Sequence, residues 1–434
     1  MESVETCGAH VSVGSSYNSC ICELATFDPI ETSQRVVSTR YILFPLYTLY
    51  VIHNTHRMHI LFTRFPLESI PNGGAEVQTM SLMQGLMKRG HTVSFAGSCD
   101  AIIAACRSEG IPVVEWDIGA PPVTKWNAIS FYWRKGGMRR KLRKIFMKVK
   151  KVDAVVMLSM TGKLLLTDIA VESGAKVFWI EHDRVGKWLT HNPWLPLFLK
   201  QSALAKVIVV SDLSRKIYEK LGVSKKRITV IANGVSLSSR ERVRERGKKK
   251  NSSESLGRGS LHIGCIARLS FEKGVDVLLN AVAEIPDLQL TLIGQGPEQD
   301  AVNKMAARIN SSTSTRVKLI PHTDDVCAFY KGIDVLILPS RDNDPFGLVA
   351  AEAMAVGTPV IVTDQCGIAS FLVDEKDALI VKANSAMELK EAISRYKEEG
   401  LRKKIAAAGQ KTAGEKFSVK KMVDCYEELF TVAA

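Results

Sequence analysis

The sequence predicts an α/β protein made of two doubly wound, Rossmann-like domains that face a cleft. In two stretches of the chain, short apolar segments alternate with helical segments, which is typical of βαβ units around a parallel sheet. Between them, residues 236–260 are rich in Arg, Lys, Glu, Ser and Gly, which predicts a flexible linker. Because ligands of such sheets bind beyond the carboxyl ends of the strands, we expect the binding site at the cleft.

The predicted strands follow the apolar segments in chain order. In the first domain they are 59–63, 92–97, 153–158, 176–180 and 206–210. In the second domain they are 261–267, 288–293, 317–320, 334–338 and 359–363, and the segments 384–414 and 418–429 are predicted to be mainly helical. The chain then divides into an N-terminal extension 1–57, a first domain 58–235, the linker 236–260, a second domain 261–416 and a C-terminal helix 417–434.

The extension 1–57 differs from the rest of the chain. It contains no lysine and no clear hydrophobic period, whereas Met58-His59-Ile60-Leu61-Phe62 is typical of a first buried strand. We therefore expect Met58 to lie near the functional start, and the segment before it to be either disordered or the result of a misassigned start.

Composition narrows the class of protein. The chain has 434 residues, enough for two domains of ordinary size, and a formal net charge of +13. Its nine cysteines are odd in number and irregularly spaced, which argues against a disulfide framework and favours the reducing cytoplasm. The most apolar early segment, Tyr41 to Ile52, falls short of the roughly 18 residues that span a bilayer. A nucleic-acid partner is not expected.

The positive charge is concentrated at residues 134–151, which hold ten basic residues and no acidic one. Leu142, Ile145, Phe146 and Val149 follow the spacing of an amphipathic helix. Two interpretations stay open. The segment is either a solvated helix packed on a sheet, or a peripheral contact with an anionic membrane, at the inner membrane face, or with a polyanionic acceptor.

The run from Ser340 to Val360 carries the most chemical information. Asp344 and Glu352 lie eight positions apart and flank Phe346-Gly347-Leu348, after a predicted strand and at the start of a predicted helix, Leu348 to Ala355. Glycine at a helix start lets backbone N–H groups approach an anion. The arrangement suits a sugar nucleotide, with hydroxyls at its ends and phosphates between. Asp342-Asn343-Asp344 also forms a D-x-D pattern, but that spacing is common by chance and no metal is expected.

Three further groups follow predicted strands. Gly73 and Gly74 precede a helix and can admit a phosphate to backbone amides, although loops also use glycine for turns. His182 follows strand 176–180, where it either faces the cleft or makes a local hydrogen bond. Arg268 and Lys273 follow strand 261–267 and together suit a diphosphate, although each alone is typical of a surface charge.

These motifs, in this order, resemble family 4 retaining glycosyltransferases of GT-B architecture. The matching features are Gly73-Gly74, Asn233-Gly234-Val235, Arg268 with Lys273, the run from Phe346-Gly347-Leu348 to Glu352, and Gly357-Thr358-Pro359-Val360. The resemblance covers about residues 58 to 430. It departs from the family at Asp344, where glutamate is usual, at Ser236, and at Cys366 and Ser370, which replace a glycine and a glutamate.

The resemblance implies roles for these residues. Arg268 and Lys273 would hold the donor diphosphate, and Gly347 and Leu348, beside Phe346, would give it backbone amides. Glu352 would bind the ribose hydroxyls, and Asp344 would sit by the transferred sugar. His182 would stand near the reacting centre, and Gly73 and Gly74 would close on the phosphates from the opposite domain.

The expected reaction is transfer of a sugar, with retention of configuration, from a nucleotide-diphosphate donor to a glycan or lipid-linked acceptor. The donor is a co-substrate, and no cofactor is expected. Because fold alone does not determine function, two alternatives stay open: a sugar-nucleotide epimerase or hydrolase, and a catalytically weak nucleotide-sugar-binding partner of another transferase.

Overall fold

The computed structural model describes residues 57–66, 73–149, 151–235 and 260–432. The predicted extension, apart from Arg57, and the predicted linker up to residue 259 lie outside this described part. Among the cysteines of the described residues, Cys106, Cys265, Cys327, Cys366 and Cys425 are free thiols.

The first lobe is built on a seven-stranded parallel sheet in the order β3-β2-β1-β4-β5-β6-β7. Its strands are β1 (His59–Arg64), β2 (Thr92–Gly97), β3 (Val113–Glu115), β4 (Ala154–Met157), β5 (Lys176–Glu181), β6 (Lys206–Val209) and β7 (Ile228–Val230). Its helices are α1 (Gly74–Lys88), α2 (Asp100–Ser108), α3 (Lys125–Phe146), α4 (Met160–Leu165), α5 (Thr167–Glu172), α6 (Lys187–Thr190), α7 (Leu195–Ser202) and α8 (Asp212–Leu221).

The second lobe is built on a six-stranded parallel sheet in the order β10-β9-β8-β11-β12-β13. Its strands are β8 (Leu261–Ile266), β9 (Leu288–Ile293), β10 (Arg316–Ile320), β11 (Val335–Leu338), β12 (Val360–Thr363) and β13 (Leu379–Val381). The helices that follow residue 260 are α9 (Val275–Ala283), α10 (Gln299–Ser312), α11 (Val326–Gly332), α12 (Leu348–Ala355), α13 (Ala386–Arg395), α14 (Glu399–Lys416) and α15 (Val419–Val432).

Both strand orders confirm the predicted doubly wound architecture. In each sheet the order reverses beside the first strand, β1 or β8, which opens a crevice at the carboxyl ends of the strands. The central strands are almost fully buried because helices cover both faces; Val335 to Leu338, for example, are all buried. All ten predicted strands are present within one or two residues of their expected ends, and three further strands, β3, β7 and β13, were not predicted.

Helix α15 packs on the first lobe, although it follows the second lobe in the chain. Its Met422, Val423, Tyr426 and Phe430 lie in the core cluster that contains strand β1 and helix α1. The Phe430 ring lies 4.5 Å from the Phe178 ring, between centroids. Arg89, just after α1, forms ion pairs with Asp424 and Glu427 of α15. The chain therefore crosses between the lobes twice.

Helix α3 carries most of the basic run and has two distinct faces. Phe131, Met138, Leu142 and Phe146 are buried against the first sheet, as an amphipathic helix requires. The helix ends at Phe146, so Val149 lies beyond it and is not part of the helical pattern that the sequence predicted. Within the described ranges, no helix has the length and apolarity needed to cross a bilayer.

Two adjacent glycines in the middle of α3 yield a stability prediction. Gly136 and Gly137 are exposed, and a Cβ atom added to either would meet no heavy atom within 4 Å. Gly137→Ala should therefore raise the free energy of unfolding by about 0.5–1 kcal/mol, because alanine loses less backbone entropy in a helix. Urea unfolding monitored by circular dichroism measures the change.

The matched control is Gly97→Ala, where an added Cβ would lie 2.1 Å from the Arg64 carbonyl oxygen, so stability should fall. A loss of stability in Gly137→Ala comparable to that of Gly97→Ala would contradict the helical environment described for α3.

Candidate functional site

A cavity of about 520 Å³ lies between the carboxyl ends of the two sheets and is lined by both lobes. This volume is within the usual range for sites that bind small molecules. The first lobe contributes Gly74, Ala75, His182, Asp183, Arg184 and Asn233. The second lobe contributes, among others, Arg268, Lys273, His322, Asp344, Phe346, Gly347 and Leu348.

Two helices, one from each lobe, begin at this cavity. Helix α1 begins at Gly74, and a Cβ atom there would lie 2.9 Å from the Leu348 Cδ1 atom of the opposite lobe. Helix α12 begins at Leu348, after Gly347 in the left-handed region with φ of 97°. The N–H groups of a first helical turn have no acceptor within the helix, and the helix dipole favours an anion there. The cavity thus has two positive helix ends.

Gly347 is needed for close packing as well as for its backbone angle. A Cβ atom at this position would lie 2.6 Å from the Cys366 Sγ atom and 2.9 Å from the Leu338 Cδ2 atom. The Phe346 side chain is buried among Phe371 and Phe417, with ring centroids 6.0 Å and 5.5 Å away. The turn is therefore held from behind by apolar packing while its backbone lines the cavity.

Arg268 and Lys273 add two cationic groups. Arg268 follows β8 and is exposed, and Lys273 ends a short 3-10 helix that precedes α9. The Lys273 Nζ atom lies 2.7 Å from the Asp344 Oδ2 atom, which also accepts a hydrogen bond from the Ser340 hydroxyl at 3.0 Å. Burial opposes the charge on Lys273, but the neighbouring Asp344 carboxylate raises its pKa above the ordinary value. Lys273 therefore stays protonated.

His182 directly follows Glu181, which forms a buried polar cluster with Lys163 and Tyr218. The Glu181 Oε2 atom forms an ion pair with the Lys163 ammonium and accepts a hydrogen bond from the Tyr218 hydroxyl, each at 2.8 Å. Burial, together with the positive charges of Arg64 and Lys163, lowers the pKa of His182 to about 4, against the opposing effect of Asp183. The imidazole is therefore neutral near pH 7, and its buried Nδ1 atom has no hydrogen-bond partner among the described residues.

Glu352 lies apart from the residues that line the cavity. It sits on α12 one turn beyond Leu348, and one of its oxygens accepts a hydrogen bond from the Tyr330 hydroxyl at 2.8 Å. Burial raises the pKa of Glu352, although the Tyr330 hydrogen bond opposes that shift. The Glu352 carboxylate therefore lies next to the cavity and not among the residues that line it.

The two acids of the D-x-D pattern form ion pairs with different basic side chains. Asp342 forms an ion pair with Arg184 of the opposite lobe, whereas Asp344 pairs with Lys273. In the ranges that the structure describes, no group of three or more His, Cys, Asp or Glu side chains is arranged to hold a metal ion.

The structure brings together most of the residues that the sequence singled out. Gly74, His182, Arg268, Lys273, Asp344, Phe346, Gly347 and Leu348 line one cavity. Gly73 precedes α1 as its N-cap residue, and Glu352 lies one turn further from the cavity. Sequence reasoning missed Arg184, whose pairing with Asp342 joins positions 158 residues apart and leaves no local pattern.

The lowered pKa of His182 predicts how stability depends on pH. Between the ordinary value of 6.5 and the native value of about 4, the unfolded chain binds a proton that the native protein does not. The free energy of unfolding should therefore fall as the pH drops through this range. His182→Asn should reduce the loss between about pH 7 and about pH 5 by about 2 kcal/mol, measured by urea unfolding at those two pH values.

The control is His322→Asn, which removes an exposed histidine and keeps His182, so the loss of stability caused by His182 should remain. Equal pH dependence in the wild type and in His182→Asn would show that His182 titrates normally.

Comparison with known proteins identifies the family. Residues 72–239 match the family model described as Glycosyltransferase Family 4, and residues 248–412 match the model described as Glycosyl transferases group 1. The lipopolysaccharide core biosynthesis glycosyltransferase LpsE of Rhizobium meliloti is 32% identical over 165 residues, which are 38% of this chain and 48% of LpsE. An uncharacterized glycosyltransferase of Methanocaldococcus jannaschii is 34% identical over 165 residues, 36% of this chain and 45% of that protein. The chain spans about half the length of these curated relatives.

Solved structures show the same fold. The crystal structure of HepE from Anabaena in complex with UDP and glucose has a TM-score of 0.68 and 20% identity, and the match covers 87% of this chain and all of HepE. A glycosyltransferase from Rickettsia africae has a TM-score of 0.68 and 19% identity, with 86% of this chain and 98% of that chain covered. The predicted GT-B architecture is confirmed. The two family models adjoin one another along most of the described chain, and the protein belongs to the family 4 glycosyltransferases.

Proposed function

We propose that this protein is a retaining glycosyltransferase that moves a sugar from a nucleotide-diphosphate donor to a glycan or lipid-linked acceptor. One observation carries the proposal: two helix amino termini and the side chains of Arg268 and Lys273 line a single cavity between the lobes. This combination of amides and cations suits a diphosphate, and HepE, which has the same fold, was crystallised with UDP and glucose.

In the proposed reaction, the bond between the anomeric carbon and the diphosphate oxygen breaks as the acceptor oxygen bonds to that carbon from the same face. The acceptor proton passes to the departing phosphate oxygen. Negative charge grows on the diphosphate while the sugar becomes oxocarbenium-like. Arg268, Lys273 and the amides at Gly347 and Leu348 would stabilise that charge more in the transition state than in the ground state.

The sugar would lie between His182 and Asp344, which approach the cavity from opposite lobes. A neutral imidazole can exchange hydrogen bonds with a sugar hydroxyl without repelling the cationic transition state. Asp344 would place a carboxylate beside the developing positive charge, held in position by its ion pair with Lys273. Exclusion of water by the two lobes would favour transfer over hydrolysis.

The acceptor class follows from the relatives. LpsE of Rhizobium meliloti is named for lipopolysaccharide core biosynthesis, which supports a glycan or a lipid-linked glycan as the acceptor. Such an acceptor, together with the free thiols of the described residues, fits an enzyme of the cytoplasm that works at the inner membrane face.

The donor site gives a direct prediction. Among UDP, GDP and ADP, one should raise the melting temperature of the protein most, because ligands that bind only the native state stabilise it by mass action. Arg268→Ala and Lys273→Ala should each weaken binding of that nucleotide by about 10- to 100-fold, since each removes a charged contact worth about 1.5–3 kcal/mol. Isothermal titration calorimetry measures both losses.

Two exposed basic residues away from the cavity serve as matched controls: Arg308→Ala on α10 and Lys404→Ala on α14 should bind as the wild type does. Full nucleotide affinity and full transfer in both cavity variants would rule out the assignment. Analysis of products formed without an acceptor separates the alternatives: free sugar indicates a hydrolase and an isomerised donor an epimerase. Binding without turnover over a broad acceptor panel indicates a binding partner.

We also propose that the protein contacts an anionic membrane through α3, by a surface that differs from the one the sequence indicated. Within the basic run, Arg139 and Arg143 pair with Asp168 and Glu172 of α5, which neutralises part of its charge. The face of α3 opposite its buried side carries Trp126 and Trp133, 78% and 74% exposed. We call this the α3 outer face; its residues are Trp126, Ile129, Trp133, Gly137, Arg140 and Lys144.

The α3 outer face combines the two features of a peripheral membrane contact. Its first half exposes aromatic side chains, which favour the interface between lipid and water, and its second half exposes Arg140 and Lys144, which attract anionic headgroups. Because α3 follows the carboxyl end of β3, its aromatic half begins at the cleft edge of the sheet. A bilayer seated there would bring a lipid-linked acceptor close to the cavity.

Vesicle sedimentation of the full chain tests this surface. Binding should be stronger to vesicles that contain phosphatidylglycerol than to vesicles of phosphatidylcholine alone. Arg140→Glu with Lys144→Glu should lower binding by about tenfold or more, because each basic residue near an anionic surface contributes about 1 kcal/mol. Trp126→Ser with Trp133→Ser should lower binding to both kinds of vesicle.

The charge control is Lys397→Glu with Lys404→Glu, two exposed residues of the second lobe. Equal vesicle binding by the α3 variants and the control would exclude the proposed membrane contact.

A further inference from the structure

Glu352 lies beside the cavity, and one of its two carboxylate oxygens already accepts a hydrogen bond from another residue of the protein. It lies four residues after Leu348 on α12, so both side chains emerge from the same side of the helix, about one 5.4 Å turn apart. The Tyr330 hydroxyl donates to the Glu352 Oε2 atom at 2.8 Å. Among the described residues, the Oε1 atom accepts no hydrogen bond and is not sealed from solvent. One oxygen of the carboxylate is therefore free to accept from a ligand.

Core packing and a hydrogen bond to its backbone fix the position of Tyr330 and of its hydroxyl. Tyr330 lies in helix α11 and is 2% exposed. It belongs to the core cluster that contains Leu336, Ala350 and Val360. The Thr358 hydroxyl donates to the Tyr330 carbonyl oxygen at 2.8 Å, which ties α11 to the turn after α12. A rigid aromatic side chain in a close-packed core loses little further freedom when a ligand binds.

The phenol restricts the Glu352 side chain to one orientation. A free glutamate loses rotamer entropy when it is immobilised, and here the hydrogen bond already restricts the side chain in the unliganded protein. The bond also gives the buried carboxylate a donor, which opposes the effect of burial on its charged form. The result is a carboxylate oxygen fixed beside the cavity before a ligand arrives.

We propose that Tyr330 is a positioning residue for the nucleotide, which it serves by orienting Glu352 toward the ribose hydroxyls. This inference rests on the proposed function, in which Glu352 accepts hydrogen bonds from the ribose. Tyr330 itself touches neither the donor nor the reacting atoms. Its hydroxyl sets the discrimination between a ribonucleotide and a 2′-deoxynucleotide, because that discrimination depends on the geometry of a single carboxylate.

The test compares UDP, GDP and ADP with their 2′-deoxy forms by isothermal titration calorimetry on the full chain. The wild type should bind the preferred ribonucleotide more tightly than its deoxy form. Tyr330→Phe removes only the hydroxyl and keeps the ring in the core. It should weaken binding of the ribonucleotide by about 3- to 10-fold and leave binding of the deoxy form nearly unchanged.

A double-variant cycle separates positioning from general damage to the fold. Glu352→Ala should abolish the preference for ribose, and adding Tyr330→Phe to it should change the preference no further. Tyr396→Phe is the matched control, since that buried tyrosine of the same lobe donates instead to the Val360 carbonyl oxygen, at 3.2 Å. Its preference for ribose should equal that of the wild type.

The outcomes distinguish this inference from the proposed function. If the wild type prefers ribose and Tyr330→Phe keeps the full preference, the donor site stands and the role of Tyr330 is wrong. If the wild type binds nucleotides without any preference for ribose, the roles of Glu352 and Tyr330 both fall while diphosphate binding stands. If no nucleoside diphosphate binds, the proposed function falls and the inference falls with it.

Discussion

The left-handed turn at Gly347 is the constraint on which the rest of the site depends. It starts α12 at the cavity, and the nearby Cys366 and Leu338 atoms leave no room for a side chain at that residue. A larger residue there would have to push the turn away from β11 and move the first amides of α12. The positions of Phe346, Asp344 and Glu352 all follow from the same turn, because they precede or continue it within a few residues.

The central architecture was predictable because buried parallel strands leave a strong signal. Strands covered on both faces are continuous apolar runs, as in β4 and β11, and the sequence located them within a residue or two. The three strands it missed, β3, β7 and β13, are all edge strands of three residues. A short edge strand has fewer covered neighbours, so Val113–Glu115 contains no fully buried residue and no apolar run marks it.

The candidate site was predictable where its residues follow strand ends, and unpredictable where residues from distant parts of the chain meet. Lys273 and Asp344 were each selected on their own, but their ion pair depends on the packing of β8 beside β11. The same ion pair also involves the position where this chain has Asp344 and the family usually has glutamate. The Asp344 Oδ2 atom already accepts from Lys273 and Ser340, so a sugar hydroxyl would have to share that carboxylate. Arg184 and the aromatic half of α3 had no motif to mark them, and only the fold reveals their surroundings.

The placement of α15 has a consequence for how the protein is made. The core of the first lobe includes Tyr426 and Phe430, yet some two hundred residues separate that helix from β6 and β7. During synthesis the amino-terminal sheet leaves the ribosome long before the helix that covers it. Its apolar face around Phe62 and Phe178 must therefore stay uncovered until the second lobe has been translated. The nascent chain is thus exposed to aggregation for longer than its two-lobed outline suggests, and protection by a chaperone would matter most in that interval.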